Sequence, residues 1–485
     1  MPPAKTGTRK ITVLPGDGIG PEVVESALEI IKATGVAVEF EKCEAGARAF
    51  QKGIVTGIPS DTIQSIERTR VVLKGPLETP LGHGNRSANV TLRTLFETYG
   101  NIRPVRELPG VQTAFTGRAL DIVIVRENIE DLYAGIEYMQ TPGVSEGLKL
   151  ISREGCEKIV KLAFAFALAE GRKAVHCATK SNIMKLTEGL LQHTFEEFAP
   201  KYPSITSKHI LIDNCAHQLA MRPEQFDVIV TTNMNGDILS DLTSGLTGGL
   251  GFAPSANIGN DVSIFEAVHG SAPDIAGKNK ANPTALVLSA AMMLRHIGEG
   301  KAANDVEQAV LVTLESGIRT SDMMGVEKPA GTTDFTRAVI ANLGKRSKLS
   351  PPKEYRKVEL PTAQLGVNVV RANSRRLVGL DIYVETTLEP DALASGLETV
   401  TLTSPLKLQM ISNRGAMVFP NNGRRVSLVD HFRCRFVLRD PAAAFGDAEI
   451  MSLLGAVGAR YSWMHVEKLQ EFNGAAGYTK SQGED

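Results

Sequence analysis

The chain has 485 residues, which at about 150 residues per domain is more than one compact core. Its 53 basic and 54 acidic side chains leave a formal charge of −1, without the basic excess or basic run that a nucleic-acid or membrane-surface binder carries. The longest uncharged apolar stretch, Ala285 to Leu294, is closed by Arg295 well short of the roughly 20 residues of a bilayer span. The apolar run Ile11 to Leu14, stopped by Pro15-Gly16-Asp17, is too short for a secretory signal, so the expected location is cytoplasmic. Five cysteines (Cys43, Cys156, Cys177, Cys215 and Cys434) have no C-x-x-C spacing and are expected as free thiols.

From residue 8 to about 340, β-branched runs alternate with longer helical patterns, the signature of an α/β fold. Ile11 to Leu14 reads as a strand, and Pro21 to Thr34 as a helix with proline in its first turn and Gly35 past its end. Val71 to Leu73, Asp121 to Val125, Lys173 to His176 and Asp227 to Thr231 are further strands. Each is followed by a polar loop, where α/β folds place ligands. Leu343 to Arg376, rich in Lys, Arg, Pro and Ser, reads as a linker. Beyond it come a strand (Leu377 to Glu385), a helix (Pro390 to Leu397) and a strand (Leu406 to Ser412) with a short hairpin over Gly415 to Pro420. A strand (Val429 to Leu438), a helix (Phe445 to Arg460) and a strand (Tyr461 to Phe472) complete a ferredoxin-like βαββαβ unit. Trp463 and the apolar stripe of the second helix are expected in its core, and His176 in the core of the α/β part.

Gly16-Asp17-Gly18-Ile19-Gly20-Pro21 mimics a dinucleotide fingerprint, but Pro21 stands where the third glycine belongs, so a tight strand-to-helix turn is expected. Arg93, Arg103 and Arg126, with Ser87 and Asn89, have the guanidinium forks and donors a small polycarboxylate needs; three surface arginines are the alternative. Asp237 and Asp241 stand at i and i+4 on one helix face. They suit either a Mg²⁺ or Mn²⁺ ion, which would relieve their repulsion, or a solvated face. His83 lies in the loop between these motifs and reads as a solvated loop histidine.

Seven segments, in order, closely resemble the isocitrate dehydrogenase branch of the β-decarboxylating dehydrogenases: Leu14 to Glu22, Gly75 to Pro80, Arg86 to Arg93, Arg126 to Tyr133, Lys180 to Lys185, Asn235 to Asp241 and His269 to Pro273. The resemblance implies oxidation and decarboxylation of isocitrate to 2-oxoglutarate, a step of the tricarboxylic acid cycle. A divalent ion, Mg²⁺ or Mn²⁺, would be held by Asp237, Asp241 and the partner subunit's Asp213, and would chelate the substrate's 2-hydroxyl and adjacent carboxylate. Lys180, also supplied across the dimer, would help remove the hydroxyl proton as C2 gives hydride to the nicotinamide. Tyr133 would then protonate C3 after CO₂ leaves. Arg93, Arg103 and Arg126 would hold carboxylates, with Thr79, Ser87, Asn89 and Asn182 as further substrate contacts. Polar residues at Ser87 and Asn89 favour isocitrate over an alkyl-bearing malate. Ser87 also matches a position that some bacterial relatives phosphorylate, although a substrate ligand is sufficient reason for a serine there.

His269, Gly270, Asp274, Ile275 and Asn282 would bind the nicotinamide cofactor. Many NADP-using relatives carry a Lys-Tyr pair where this chain has Asp274-Ile275. A carboxylate suits ribose hydroxyls and repels a 2′-phosphate, so NAD is the expected cofactor. Thr333, in place of a tyrosine, agrees; Arg337, matching a phosphate-binding arginine, leaves NADP use open. The implied architecture is the isocitrate/isopropylmalate dehydrogenase-like two-domain fold, not Rossmann. Residues 1–98 and 248–342 would form the larger domain and 99–247 the smaller, with a dimer clasp near 133–152. Residues 343–376 would be linker, 377–472 the ferredoxin-like domain, and 473–485 a polar tail. Shared sites imply at least a homodimer. The C-terminal unit is similar to ACT-type modules and is expected to serve assembly rather than effector binding. A homoisocitrate dehydrogenase and a non-catalytic regulatory paralogue are the alternatives, and the second is disfavoured because Tyr133, Lys180, Asp213, Asp237 and Asp241 are all present.

Overall fold

The computed structural model describes residues 8–480 except 79–86, 324, 354, 357, 361–366, 368, 421–422 and 424–425. The strands, in chain order, begin with β1 (Arg9–Leu14), β2 (Val38–Lys42), β3 (Val71–Lys74), β4 (Gly100–Arg106), β5 (Asp121–Glu127), β6 (Glu137–Thr141) and β7 (Val144–Gly147). There follow β8 (Ala174–Thr179), β9 (Thr206–Leu211), β10 (Val228–Thr231), β11 (Pro254–Ile258) and β12 (Ser263–Ala267), then β13 (Arg375–Glu385), β14 (Leu406–Asn413), β15 (Ala416–Phe419), β16 (His431–Leu438), β17 (Ser462–Phe472) and β18 (Ala475–Ala476). By packing, the chain divides into two compact units: residues 1–134 with 150–366, and residues 135–149 with 367–485.

The first unit is built on a ten-stranded sheet of order β2-β1-β3-β12-β11-β4-β5-β10-β8-β9. Its two ends are parallel, and they are joined through β11, which runs antiparallel to both β12 and β4, and through the antiparallel β4–β5 pair. The Ile-Val-Ile-Val run of β5 is wholly buried because helices cover both faces, the usual condition of central parallel strands. The helix Arg153–Ala169 begins where Ser152 accepts the Gly155 N–H at 3.0 Å, and it buries an apolar face against β5, β8 and β10. The helix Thr284–His296 is buried almost all round and ends on Arg295 and His296, cations that favour a helix C-terminus. His176 lies in the core with its ring edge-on to Phe226, and all five cysteines are free. No helix among the described residues is long and apolar enough to cross a membrane.

The glycine-rich segment after β1 is a tight turn leading into the helix Gly20–Ala33. Gly16 and Gly18 have φ of 75° and 57°, and a Cβ on Gly18 would fall 2.0 Å from the Ser271 carbonyl oxygen. Backbone crowding, not a pyrophosphate, accounts for these glycines. Asp17 locks the turn by accepting N–H bonds from Ala47 at 3.0 Å and Glu78 at 2.8 Å.

In the second unit, β13–β18 form a sheet of order β15-β14-β16-β13-β17-β18, with the helices Pro390–Val400 and Asp447–Gly458 on one face. The four long strands stand in the ferredoxin-like order and are antiparallel throughout. The hairpin β6–β7 belongs to this unit rather than to residues 99–247.

Three expectations need correction. The first half of the 343–376 segment is not a free linker. Ser347 donates its N–H to Gln308 at 2.9 Å, Tyr355 lies under the Arg295 guanidinium at 3.5 Å, and Val358 and Leu360 pack on the first unit's core. An aromatic and two aliphatics spaced among charges anchor a strap that composition alone presents as polar. Nor is 473–480 frayed: Asn473 accepts from the Asn373 N–H at 2.7 Å, β18 pairs with β17, and the Tyr478 ring meets the Arg435 guanidinium. Trp463 is 40% exposed at the start of β17, on the sheet's edge, and is not core.

Candidate active site

The site grows from the middle of β4, the end of β5 and the helix Asn233–Leu246 that follows β10. Arg126, at the end of β5 and almost fully buried, gives Nε and Nη2 to Asn233 Oδ1 at 2.9 and 2.7 Å, and its Nη1 pairs with Asp237 Oδ1. Gly236 stands between them because a Cβ there would come 2.6 Å from the Arg126 side chain. Beside it on the antiparallel neighbour β4, Arg103 reaches Asp237 Oδ1 at 3.3 Å and Asp241 Oδ1 at 3.9 Å, its Nε fixed by Asn101 Oδ1 at 2.6 Å. Tyr133 donates its phenolic proton to Asp237 Oδ2 at 2.6 Å, with the Arg126 guanidinium 4.9 Å over its ring.

Arg93, on the helix Ala88–Leu95, meets Glu266 Oε1 at 3.2 Å, and Glu266 also takes Lys74 Nζ at 2.5 Å in a buried pair. Lys74 in turn donates to Asn89 Oδ1 at 2.9 Å while the Asn89 amide donates to the Leu77 carbonyl at 3.3 Å, so Asn89 is held at both ends. Lys74 and Glu266 are site residues that sequence reasoning missed. The available signal was a charged residue at or next to the end of an otherwise mostly apolar strand, in Val-Val-Leu-Lys and Ser-Ile-Phe-Glu-Ala.

Electrostatics follow from this clustering. Burial opposes ionisation of Asp237, but Arg126 and Arg103 outweigh it and hold the carboxyl below its ordinary range. Asp241 moves the other way: partial burial raises it, the charge of Asp237 adds to this, and Arg103 offsets only part. Burial, then the bond to Asp237, raises the Tyr133 phenol, which therefore stays protonated at neutral pH. Burial lowers Arg126, with Arg103 and Arg93 adding like-charge repulsion.

The donor set fits a hard divalent cation. The Asp241 side chain is 60% exposed and its nearest cation is the distant Arg103, so its oxygens are free to ligate. Asp237 one turn earlier already demands positive charge. Lys180 and Asp213 pair with each other at 3.0 Å, and no hydrogen bond or ion pair among the described residues joins them to Asp237 or Asp241 within the chain. Ser87 is half-buried at the start of the helix Ala88–Leu95, where its side chain makes no capping bond; Asn182 is exposed, and Thr79 and His83 lie outside the described residues.

At the other expected locus, Asn282 donates to Asp322 Oδ2 at 2.9 Å and accepts the Thr284 N–H at 3.0 Å. His269 Nδ1 lies 3.0 Å from the Gly270 carbonyl, its Nε2 is buried without a hydrogen-bond partner, and burial lowers its pKa. Asp274 is exposed, Ile275 half-buried, and Lys278 Nζ donates to the Asp274 carbonyl at 2.6 Å. Asn279 caps the helix Thr332–Ala341, accepting the Thr332 and Thr333 N–H groups at 3.1 and 2.9 Å. Arg337 lies one turn along that helix.

Comparison with known proteins finds relatives over nearly the whole chain. Residues 10–339 match the isocitrate/isopropylmalate dehydrogenase family and residues 375–484 the C-terminal domain of bacterial isocitrate dehydrogenase. The chain is 58% identical over 480 residues to isocitrate dehydrogenase [NADP] of Thermus thermophilus, covering 99% of this chain and 97% of that one. It is 40% identical over 481 residues to isocitrate dehydrogenase [NADP] of Rickettsia conorii, covering 98% and 99%. A crystal structure of a Thermus thermophilus protein, 57% identical, superposes with a TM-score of 0.94 over 99% of this chain and 97% of that one.

These relatives overturn the expectation of NAD, because both full-length ones carry NADP in their names. The physical reason is that Asp274 is a weak barrier. Asp274 is exposed, where repulsion from a phosphate at 4 Å costs only about 1 kcal/mol per charge pair in water, and Lys278, bonded to the Asp274 backbone carbonyl, brings a cation to the same loop. With residues 10–339 matching one family model, 375–484 the second, and the fold shared over the whole length, the chain belongs to the isocitrate/isopropylmalate dehydrogenase family in its long bacterial form, with the added C-terminal domain.

Proposed function

We propose that this protein converts isocitrate to 2-oxoglutarate and CO₂ with reduction of NADP, in a homodimer whose two sites are each shared between subunits. The observation that carries this reading is the convergence of Arg103, Arg126, Asp237, Asp241 and Tyr133 on one point, with Arg93 at its side.

Arg93, Arg103 and Arg126 bind and orient the substrate carboxylates through their guanidinium forks. Asp237 and Asp241, with the partner subunit's Asp213, would hold a divalent ion. When bound, that ion supplies Lewis acidity at the substrate's C2 oxygen, and NADP supplies the hydride acceptor. The partner subunit's Lys180 takes the hydroxyl proton. Tyr133 keeps its proton on Oη, as burial and the bond to Asp237 require, and delivers it to C3 after decarboxylation. Ser87, Asn89 and Asn182 complete the substrate pocket, with Thr79 beyond the described residues.

Lys278 and Arg337, from the loop and helix that Asn279 joins, would meet the 2′-phosphate while His269, Gly270, Ile275 and Asn282 line the rest of the cofactor site. The dimer reading is supported by the hairpin β6–β7, which leaves Tyr138, Met139 and Leu148 exposed, and by Lys180 and Asp213 standing as a separate pair within one chain. The test is the initial rate of nicotinamide reduction with isocitrate and Mg²⁺, NADP and NAD being titrated in parallel. A higher kcat/KM with NADP is expected. A rate with homoisocitrate or an alkylmalate but not isocitrate would sink the substrate assignment.

A further inference from the structure

The unit made of residues 135–149 and 367–485 holds a second convergence of ligating side chains, unrelated to the carboxylates of the active site. Its sheet has two faces. Leu380, Ile382, Val384, Phe432, Cys434 and Phe436 turn toward the two helices and form the core. The opposite face carries Asp381, Tyr383, His431, Arg433 and Arg435 in alternation, as the period of two requires. His431 opens β16, His465 lies on β17, and both strands flank β13, so the two imidazoles stand on either side of Tyr383. The Tyr383 ring stacks on His465 with centroids 3.8 Å apart and on His431 at 5.4 Å, which fixes both ring planes.

From β7 of the hairpin, Glu146 brings a carboxylate between them. Its Oε1 is 3.7 Å from His431 Nε2 and its Oε2 3.6 Å from His465 Nδ1. Neither distance is a hydrogen bond. The three donor atoms lie within 4.8 Å of one another. His431 is 8% exposed, and its Nε2, aimed at this point, is buried without a hydrogen-bond partner. A buried polar atom is seldom left unpaired, so something is expected to satisfy it. A fourth oxygen is at hand, since the buried Gln140 has Oε1 3.4 Å from His465 Nδ1. Bonds of about 2.0 to 2.2 Å in a tetrahedral zinc site put donor atoms about 3.3 to 3.6 Å apart, so small rotations of Glu146 and His465, both partly exposed, close the set.

We propose that Glu146, His431 and His465 form a zinc site that staples the hairpin β6–β7 to the C-terminal sheet. Two neutral imidazoles and a carboxylate are a donor set that zinc takes readily, and burial favours the neutral form of both rings. The site is a structural one: it joins segments about three hundred residues apart, next to the contact in which Thr141 donates its hydroxyl to Asp430 at 2.9 Å.

The test uses the full-length protein, stripped of metal and held in excess Mg²⁺, titrated with Zn²⁺ against a chromophoric chelator. One zinc per chain is expected, bound at least about tenfold more tightly than by His431→Gln/His465→Gln or by Glu146→Gln, and retained in Asp237→Asn/Asp241→Asn. Zinc should raise the thermal midpoint of the wild type and of Asp237→Asn/Asp241→Asn but not of the histidine variant, and Co²⁺ should give a visible band of nitrogen and oxygen ligation only where His431 and His465 are intact. Should the double histidine variant fail to fold, Glu146→Gln on the hairpin carries the comparison alone. Equal zinc affinity in wild type and Glu146→Gln, or loss of the tight zinc in Asp237→Asn/Asp241→Asn, overturns the site.

Discussion

Tyr133 gives its phenolic proton to Asp237, the same carboxylate that Arg103 and Arg126 hold ionised, so the proposed proton donor and a proposed metal ligand are one hydrogen bond apart. With a cation held by Asp237, Oδ2 would no longer be the phenol's sole partner, and Tyr133 would be free to turn toward substrate. Tyr133→Phe keeps the ring under Arg126 and removes only the proton. Loss of a positioned general acid costs about 10² to 10⁴ in rate, so kcat should fall by about that factor while KM for isocitrate changes little. The hydride step does not need this proton, so the variant should still reduce added oxalosuccinate at a rate close to wild type. Stopped-flow nicotinamide absorbance with each substrate measures both; equal losses in the two steps would remove Tyr133 from its assigned role.

Lys180 and Asp213 pair with each other rather than with Asp237 inside one chain, which leads to a complementation experiment. Lys180→Ala and Asp237→Asn should each be nearly inactive. If every site takes Lys180 from one subunit and Asp237 from the other, a heterodimer of the two variants contains one intact site. Random reassortment of equal amounts should restore about a quarter of wild-type activity. Mixing that restores nothing, with exchange verified by mass spectrometry, would show that each subunit's site is self-contained.

The α/β class, the motif-bearing loops and the βαββαβ order were legible because each rests on local pattern: buried β-branched runs, helix boundaries, glycine turns. What escaped depends on partners distant in sequence. The strand β11, Pro-Ser-Ala-Asn-Ile, has weak strand character and forms because β4 and β12 flank it. Lys74 and Glu266 look like strand-end charges until the fold buries them against each other. The hairpin β6–β7 reads as part of its sequence neighbourhood, yet it packs with residues after 367, through Thr141, Gln140 and Glu146. Cofactor choice escapes for a related reason: Asp274 and Arg337 point opposite ways in the sequence, and only the fold brings Lys278 onto the Asp274 backbone carbonyl and caps the Arg337 helix with the same loop.

Lys278 and Arg337 should therefore act together on the 2′-phosphate. A charge-assisted hydrogen bond contributes about 1.5 to 3 kcal/mol, so Lys278→Ala and Arg337→Ala should each lower kcat/KM for NADP by roughly tenfold or more. With NAD, which lacks the phosphate, each should change by less than about twofold. The side chain of Arg337 is 75% exposed and, among the described residues, pairs with Asp334, so its removal leaves stability almost untouched. Equal losses with both cofactors would place these cations outside phosphate recognition.

Glu127 supplies a pH signature of the site's scaffold. It ends β5 next to Arg126 and accepts the N–H groups of Ile129 at 2.7 Å and Glu130 at 3.0 Å, shaping the loop that carries Tyr133. Burial pushes its carboxyl up to about 7, beyond what those bonds recover. An unfolded glutamate titrates at about 4.3, so between those two values the folded chain binds more protons than the unfolded one. Stability must then fall as pH rises through that window, fully present below about 4 and lost by the folded value. The loss is on the order of 3 kcal/mol for this group alone. Glu127→Gln keeps the carbonyl acceptor and cannot ionise, so relative to wild type it should gain stability as pH rises from about 5 to 8. Denaturant midpoints at a series of pH values, wild type against variant, measure the difference; parallel curves would mean that Glu127 titrates in the native state as it does in water.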